Sequence, residues 1–193
     1  MPAAAITFEP PPARFNMAEY AIGRAARSVP GKEALIVVER VGDAPAEVWT
    51  FADLERAVLA VADGLRRLGL ARGDRVMIRL DNTSAYALLF FGAIAGGFVP
   101  LPASSALTAH EAQFLLEDSA AHAIALGHGL GVERLPDGVI GLGGDDIAAM
   151  IATGPEPGAA YADTAADDPA YLIYTSGTTA HPKGVLHAQR AAW

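Results

Sequence analysis

The sequence predicts an α/β fold, a mostly parallel sheet with helices on both faces. Three observations carry that expectation. Short apolar runs rich in β-branched residues alternate with longer segments of helical periodicity. Several helical segments open on a capping residue, and two close on glycine. The chain has 193 residues, 52% hydrophobic and 19% charged, enough to bury roughly 70% of its unfolded surface in a core.

The elements follow in order. Residues 16–29 carry Met17, Tyr20, Ala21 and Ala25 at helical spacing, and Pro30-Gly31 ends that helix. Ala34–Val38 and Val48–Phe51 read as two strands joined by turn residues 42–45, a hairpin with a wide loop. Thr50 then caps a helix whose stripe is Leu54, Val58, Val61, Leu65 and Leu68. Gly69 supplies its left-handed stop. Arg75–Leu80 alternates as a strand. Ala85–Ala95 is the next helix, ended by Gly96-Gly97, and Phe98–Leu101 returns as a strand. Thr108 and Glu111 form a capping-box pair opening a helix over Ala109–Asp118. Ala123–Leu126 is a strand, Val139–Leu142 a short one, and Asp145–Ile151 a short helix. Residues 153–169, rich in Pro, Gly, Ala and Asp, read as a linker or extended surface loop. The expected organisation is a flexible arm over 1–15, an α/β subdomain over 16–152, the linker over 153–169, and a closing unit over 170–193.

Composition narrows the function classes. The net charge is -8 and the pI about 5.0, which disfavours nucleic acid and anionic lipid as general partners. There are 0 Cys, so disulfides, thiolate nucleophiles and Cys-ligated metals are excluded. The N-terminus has no basic n-region, so no secretory signal is expected, and the location expected is cytoplasmic. Ala85–Leu101 is uncharged, but a membrane-spanning helix needs about 20 apolar residues. Gly96-Gly97 and Pro100 interrupt this run, so a helix followed by a strand fits it better.

The chemistry concentrates in one loop. The strand 170–174 runs into Thr175-Ser176-Gly177-Thr178-Thr179-Ala180-His181-Pro182-Lys183-Gly184, and Val185–His187 resumes extended structure. Glycine lets backbone approach an anion, successive N–H groups form a donor nest, and Lys adds a point charge. A Walker A loop requires Gly-Lys followed by Ser or Thr, and Lys183 does not satisfy that spacing. Residue types alone leave a polar turn between two strands as an equal alternative.

Tyr174–Val185, read as Tyr-Thr-Ser-Gly-Thr-Thr-x-x-Pro-Lys-Gly-Val, resembles the signature loop of the AMP-forming acyl- and aryl-CoA synthetases of the adenylate-forming superfamily. The likeness extends upstream through Trp49-Thr50-Phe51, Gly73-Asp74-Arg75-Val76, Asp81-Asn82-Thr83, Val99-Pro100-Leu101 and Leu116-Glu117-Asp118-Ser119. Phe15-Asn16 and Pro182–His187 look most like benzoate- and medium-chain acyl-CoA ligases. The resemblance implies the front portion of that family's N-terminal domain. It also implies ATP, Mg²⁺ and coenzyme A, with a carboxylic acid as the small-molecule substrate. A carboxylate would attack the α-phosphate to give an acyl-adenylate, and a thiol would then displace AMP.

On that resemblance Thr175, Ser176, Thr178 and Thr179 donate to phosphate oxygens, Gly177 and Gly184 give backbone freedom, and Lys183 supplies charge. His187 would line the acid pocket, with a packing role at the strand end as the equal alternative. Two positions depart from the family pattern: Ala180 stands where glycine is usual, and Gln189 where many relatives carry His. The family's catalytic Lys and its adenine, ribose and magnesium motifs would lie beyond Trp193. The chain is therefore expected to carry the phosphate loop and to be inactive alone. The alternatives are a non-catalytic nucleotide- or partner-binding module and a fragment whose uncovered apolar surface favours self-association. No metal site is expected. His122 and His128 lack a third ligand, Asp145-Asp146 and Asp167-Asp168 read as caps, Ser84, Ser104 and Ser105 lack a His–Asp partner, and Arg66-Arg67 reads as a solvated helix face.

Overall fold

The computed structural model describes residues 9–175 and 182–193. A π-helical stretch, Glu19–Gly23, continues into α1, Arg24–Ser28. β1, Glu33–Val37, and β2, Glu47–Thr50, pair antiparallel in the expected hairpin. Then come α2 (Phe51–Arg67), β3 (Arg75–Arg79), α3 (Ser84–Gly96), β4 (Val99–Pro102), α4 (Ala109–Asp118) and β5 (Ala123–Leu126). β6 (Ile140–Leu142), α5 (Gly144–Thr153), β7 (Pro169–Thr175) and β8 (Lys183–Ala188) complete the order. α3 and β4 divide the uncharged run as expected, and no helix among the described residues is long and apolar enough to cross a membrane.

Local chemistry sets the helix ends. Thr50 Oγ1 accepts the Asp53 N–H at 3.2 Å and bonds the Asp53 carboxylate at 2.6 Å. Asp53 thus returns to the hydroxyl rather than to the backbone N–H. At α4 both halves of the box form: Glu111 N–H to Thr108 Oγ1 at 3.2 Å, and Thr108 N–H to Glu111 Oε2 at 2.7 Å. α2 ends where Gly69 takes φ +93°. Its N–H and that of Leu70 return to the carbonyls of Arg66 and Leu65, which satisfies two carbonyls the helix would otherwise leave open.

The central sheet is parallel, in the order β4-β3-β5-β6. The step from β3 to β4 runs one way along the sheet, and the step from β4 to β5 runs back. Two right-handed crossovers in opposite directions must lie on opposite faces. The cores follow this rule. α2, α3 and α5 pack on Val76, Ile78, Ala123, Ala125 and Leu142. α4 covers Met77, Val99, Leu101 and Ile124 through Ala112, Leu115 and Leu116. Side chains of β3 alternate between the two cores, and each large aliphatic one buried in full stabilises the fold by about 1.5–3 kcal/mol. Buried Arg79 donates to the carbonyls of Gly131 and Leu107, tying two loops to the sheet.

Residues 154–168 contain no named helix or strand, yet several are fixed by hydrogen bonds. Phe15 N–H donates to the Thr164 carbonyl at 2.9 Å, and Ala166 N–H to the Ala13 carbonyl at 3.0 Å. Thr164 Oγ1 donates to the Phe15 carbonyl at 2.7 Å. This segment and the start of the described chain form one strap beside the C-terminal end of α3, where Ala162 N–H reaches the Ala95 carbonyl.

α2 and α3 approach closely at Gly92, where a Cβ would meet Val61 Cγ1 at 2.6 Å and the Val58 carbonyl oxygen at 3.1 Å. Gly92→Ala is therefore expected to destabilise the fold by about 1–3 kcal/mol, measured by urea denaturation. An unchanged midpoint would show that the two helices separate at no cost.

Candidate functional site

Two strands build the site. β7 lies beside the edge strand β4 and feeds both cores, with Ala170 and Tyr171 in the first, Leu172 and Tyr174 in the second. β8 pairs antiparallel with β7, in the register Tyr171↔His187, Leu172↔Leu186, Ile173↔Val185, Tyr174↔Gly184 and Thr175↔Lys183. Opposed residues share a face. Thr175, Lys183, Ile173, Val185, Tyr171 and His187 therefore lie on one face, and Leu172, Tyr174, Gly184 and Leu186 on the other. The first face is open to solvent at Ile173 and Val185.

Of the site residues read from the sequence, Thr175, Lys183, Gly184 and His187 are described. Ser176, Gly177, Thr178 and Thr179 lie outside the described residues, as do Ala180 and His181. Thr175 and Lys183 form the last cross-strand pair before that segment. Both are exposed. Among the described residues no carboxylate lies within ion-pair distance of Lys183. His187 stacks on the Tyr171 ring, with centroids 4.4 Å apart and planes at 11°. It sits about 13 Å along the strand from Lys183.

Gly184 differs from its expected role. Its backbone is ordinary extended strand, and a Cβ there would meet Leu172 Cδ1 at 3.2 Å and Tyr174 Cζ at 3.3 Å. A side chain at 184 would need these side-chain ends to give by a few tenths of an ångström, so close approach favours glycine there. The Tyr174 ring fills the space that a side chain at position 184 would take. Its hydroxyl donates to Asp118 Oδ2 at 2.5 Å. Burial, and then this bond to a carboxylate, push the Tyr174 phenol above its ordinary range, so it remains a donor at neutral pH.

Asp118 is the last residue of α4, and no basic residue occupies that turn. A carboxylate there opposes the helix dipole by about 0.3–1 kcal/mol. A hydrogen bond to a charged acceptor contributes about 1.5–3 kcal/mol and outweighs that cost. The sequence offers a signal for this role, an acid at the wrong end of a helix, and the resemblance alone had singled out Asp118 without a function.

Gln189 has a defined place. It follows β8, is fully buried, and accepts the Met17 N–H on Oε1 at 2.8 Å while Nε2 donates to the Pro169 carbonyl at 3.1 Å. Its own N–H reaches the Asp168 carbonyl at 2.9 Å. Gln189 thus ties the exit of β8 to the entry of β7 and to the first helical turn. Asn16 caps that turn, its Oδ1 accepting the N–H groups of Ala18 and Glu19 at 3.0 and 3.3 Å. Its Nδ2 donates to the carbonyls of Ile94 and Ala162 at 3.1 and 3.2 Å. No local sequence signal identifies either partnership.

The acid pairs are structural. Asp146 accepts the Gly143 N–H at 2.7 Å and Asp168 the Ala165 N–H at 2.8 Å. His122 lies 3.3 Å from Asp74. Among the described residues no group of three or more His, Asp or Glu side chains is placed to hold a metal. A cleft of about 490 Å³ opens at the carboxyl ends of β3 and β5, lined by Asp81, Gly127, His128 and Asp145 among others. No residue of β7 or β8 lines it.

The profile of the family described as "AMP-binding enzyme" matches residues 22–193. The chain is 33% identical over 153 residues to the long-chain-fatty-acid–CoA ligase FadD13 of Mycobacterium tuberculosis, covering 74% of this chain and 30% of that protein. It is 32% identical over 188 residues to the benzoate–CoA ligase of Thauera aromatica, covering 91% and 34%. The solved N-terminal domain of FACL13 from Mycobacterium tuberculosis superposes with a TM-score of 0.76 at 28% identity, covering 91% of this chain and 44% of that one. The chain thus spans about a third of the length of the curated relatives it matches.

Gln189→Ala leaves the buried Met17 N–H without its partner and removes the bond to the Pro169 carbonyl. It is expected to destabilise the fold by about 2–3 kcal/mol, read by chemical denaturation. A loss below the scatter of surface substitutions would show that water replaces the amide at no cost.

Proposed function

The chain belongs to the AMP-binding enzyme family, and from that premise we propose that it carries the ATP-phosphate-binding part of an AMP-forming carboxylate–CoA ligase. The observation that carries this reading is the pairing of Thr175 with Lys183 at the mouth of a hydroxyl-rich segment. A hydroxyl donor and an ammonium group stand on one solvent-open face, one on each strand. Between them runs Ser176-Gly177-Thr178-Thr179. This arrangement suits a polyphosphate, whose oxygens accept from hydroxyls and backbone N–H groups while the ammonium offsets their charge.

In the reaction proposed, a carboxylate oxygen attacks the α-phosphorus of ATP. The bond to the bridging oxygen breaks, pyrophosphate leaves, and an acyl-adenylate forms. The sulfur of coenzyme A then attacks the acyl carbon, and AMP departs with the mixed-anhydride oxygen. Mg²⁺, brought in with the nucleotide, supplies further charge neutralisation at the phosphates. Lys183 and Thr175 hold the β- and γ-phosphate oxygens, which keeps the leaving pyrophosphate in line and stabilises the charge it gains. Positioning and charge stabilisation are the main contributions a protein makes to such a transfer. His187, on the same face and stacked on Tyr171, is the residue proposed to line the acid pocket. Fatty-acid and benzoate ligases both occur among the relatives, so the substrate class proposed is a carboxylic acid.

Mg-ATP is expected to bind the chain saturably in calorimetry, and Lys183→Ala to weaken that binding about tenfold or more. An unaltered affinity would remove Lys183 from the site. ATP–pyrophosphate exchange dependent on an added aliphatic or aromatic acid is expected from a polypeptide containing this segment at the length of its relatives. Exchange absent across the acid panel would rule out the ligase reading, and Mg-ATP binding without exchange would point to a non-catalytic nucleotide-binding module.

A further inference from the structure

Tyr174 touches both strands of the stem and a third element, and its hydroxyl is spent on a bond that packing alone does not need. Its ring lies against Gly184 across the ribbon. Its hydroxyl reaches Asp118 on α4. α4 is itself fixed, at its start by the Thr108–Glu111 box and along its length by Ala112, Leu115 and Leu116 in the second core. The next pair outward is Thr175 and Lys183.

We infer that Asp118 and Tyr174 form a positioning pair that sets the register and tilt of the loop stem, and so aims Lys183 and Thr175 at the phosphates. This rests on the phosphate-loop reading above. The physical argument is one of lever arms. Strand side chains alternate in direction, so fixing the Tyr174 ring against Gly184 and toward α4 fixes Thr175 and Lys183 on the opposite face of the ribbon. The anchor acts one residue from each end of the loop. It joins the loop to the sheet through α4, an element that contributes no residue to the ribbon's open face. A phenylalanine would fill the same space over Gly184, which isolates the hydroxyl as the element the anchor requires. Among the described residues the hydroxyl's partner is a carboxylate that lies against its own helix dipole. No basic residue in the last turn of α4 pairs with Asp118, and the bond it makes lies at the loop stem, which points to positioning.

The test uses Mg-ATP binding by the chain, with thermal denaturation in parallel. Tyr174→Phe is expected to weaken binding about tenfold while leaving the ring contact with Gly184 and most of the thermal midpoint. Asp118→Ala should match it, and Asp118→Asn, which keeps an acceptor oxygen, should recover most of that loss. The distinguishing measurement is a double-mutant cycle with Lys183→Ala. If the anchor works by aiming Lys183, removing Lys183 from the Tyr174→Phe background should cost clearly less than removing it from the unaltered chain. Additive losses, or a Tyr174→Phe chain that binds Mg-ATP as the unaltered one does, would overturn the positioning role and leave the phosphate loop standing. Failure of the unaltered chain to bind Mg-ATP would instead overturn the phosphate-loop reading and the anchor with it.

Discussion

The packing of β7 beside the edge strand β4 is the contact on which the candidate site depends. An edge strand exposes unpaired backbone groups and a flank of side chains, and here β7 occupies that flank while sending residues into both cores. Ala170 and Tyr171 join the helices of the first core, and Leu172 and Tyr174 join α4 in the second. A strand gripped from both sides of a sheet cannot slide without opening two cores. β8, which is open to solvent over most of its length, takes its position largely from β7, through the ladder and the stacking of His187 on Tyr171. A two-stranded ribbon is marginal by itself in water. The stability of this one is borrowed from the sheet through β7.

A second restraint acts at the opposite end of the ribbon from the loop. Gln189 closes it by bonding the Pro169 carbonyl and the Met17 N–H. Asn16, next to Met17, holds the carbonyls of Ile94 and Ala162. The exit of β8 is thereby linked to the C-terminal end of α3. The ribbon is held at one end by buried amides and at the other by a phenol on a carboxylate. Amides suit the buried end, because each offers a donor and an acceptor and takes no charge into the core.

The fold was legible where its causes are local. Thr108 and Glu111 mark the start of α4, Gly69 marks the end of α2, and the alternation of β3 is visible in Val76, Ile78 and Leu80, because caps, left-handed stops and strand periodicity act over a few residues. The site was legible only as a string. Lys183 and Thr175 stand out by type and spacing, but their pairing depends on a ladder register that composition does not set. Gly184 reads as a source of backbone freedom and lies at a close approach, which the sequence hides because the ring beside it is ten residues away and crosses from the partner strand. Gln189 and Met17 are 172 residues apart, and Tyr174 and Asp118 are 56 apart. Such pairs follow from the topology that brings α4 and β7 to one face, which no local pattern encodes.

The separation of charges across the ribbon bears on the proposed phosphate site, because an acidic protein that binds an anion must keep its own carboxylates from the binding cation. The chain carries a net charge of -8, and one of its carboxylates, Asp118, sits at the loop stem. A carboxylate about 4 Å from exposed Lys183 would pair with it, by about 0.2–1 kcal/mol, and compete with a phosphate. Strand alternation prevents this. Asp118 meets Tyr174 on the core-facing side, and Lys183 projects from the other. The phenol satisfies the acid without neutralising it through a cation, so Lys183 stays unpaired among the described residues. A lysine in place of Tyr174 would satisfy Asp118 equally well in charge. It would not cover Gly184, and it would lose the flat ring that lets the two strands approach. The aromatic residue meets both demands at once, which is why a phenol rather than an ammonium group fits the stem of the proposed phosphate loop.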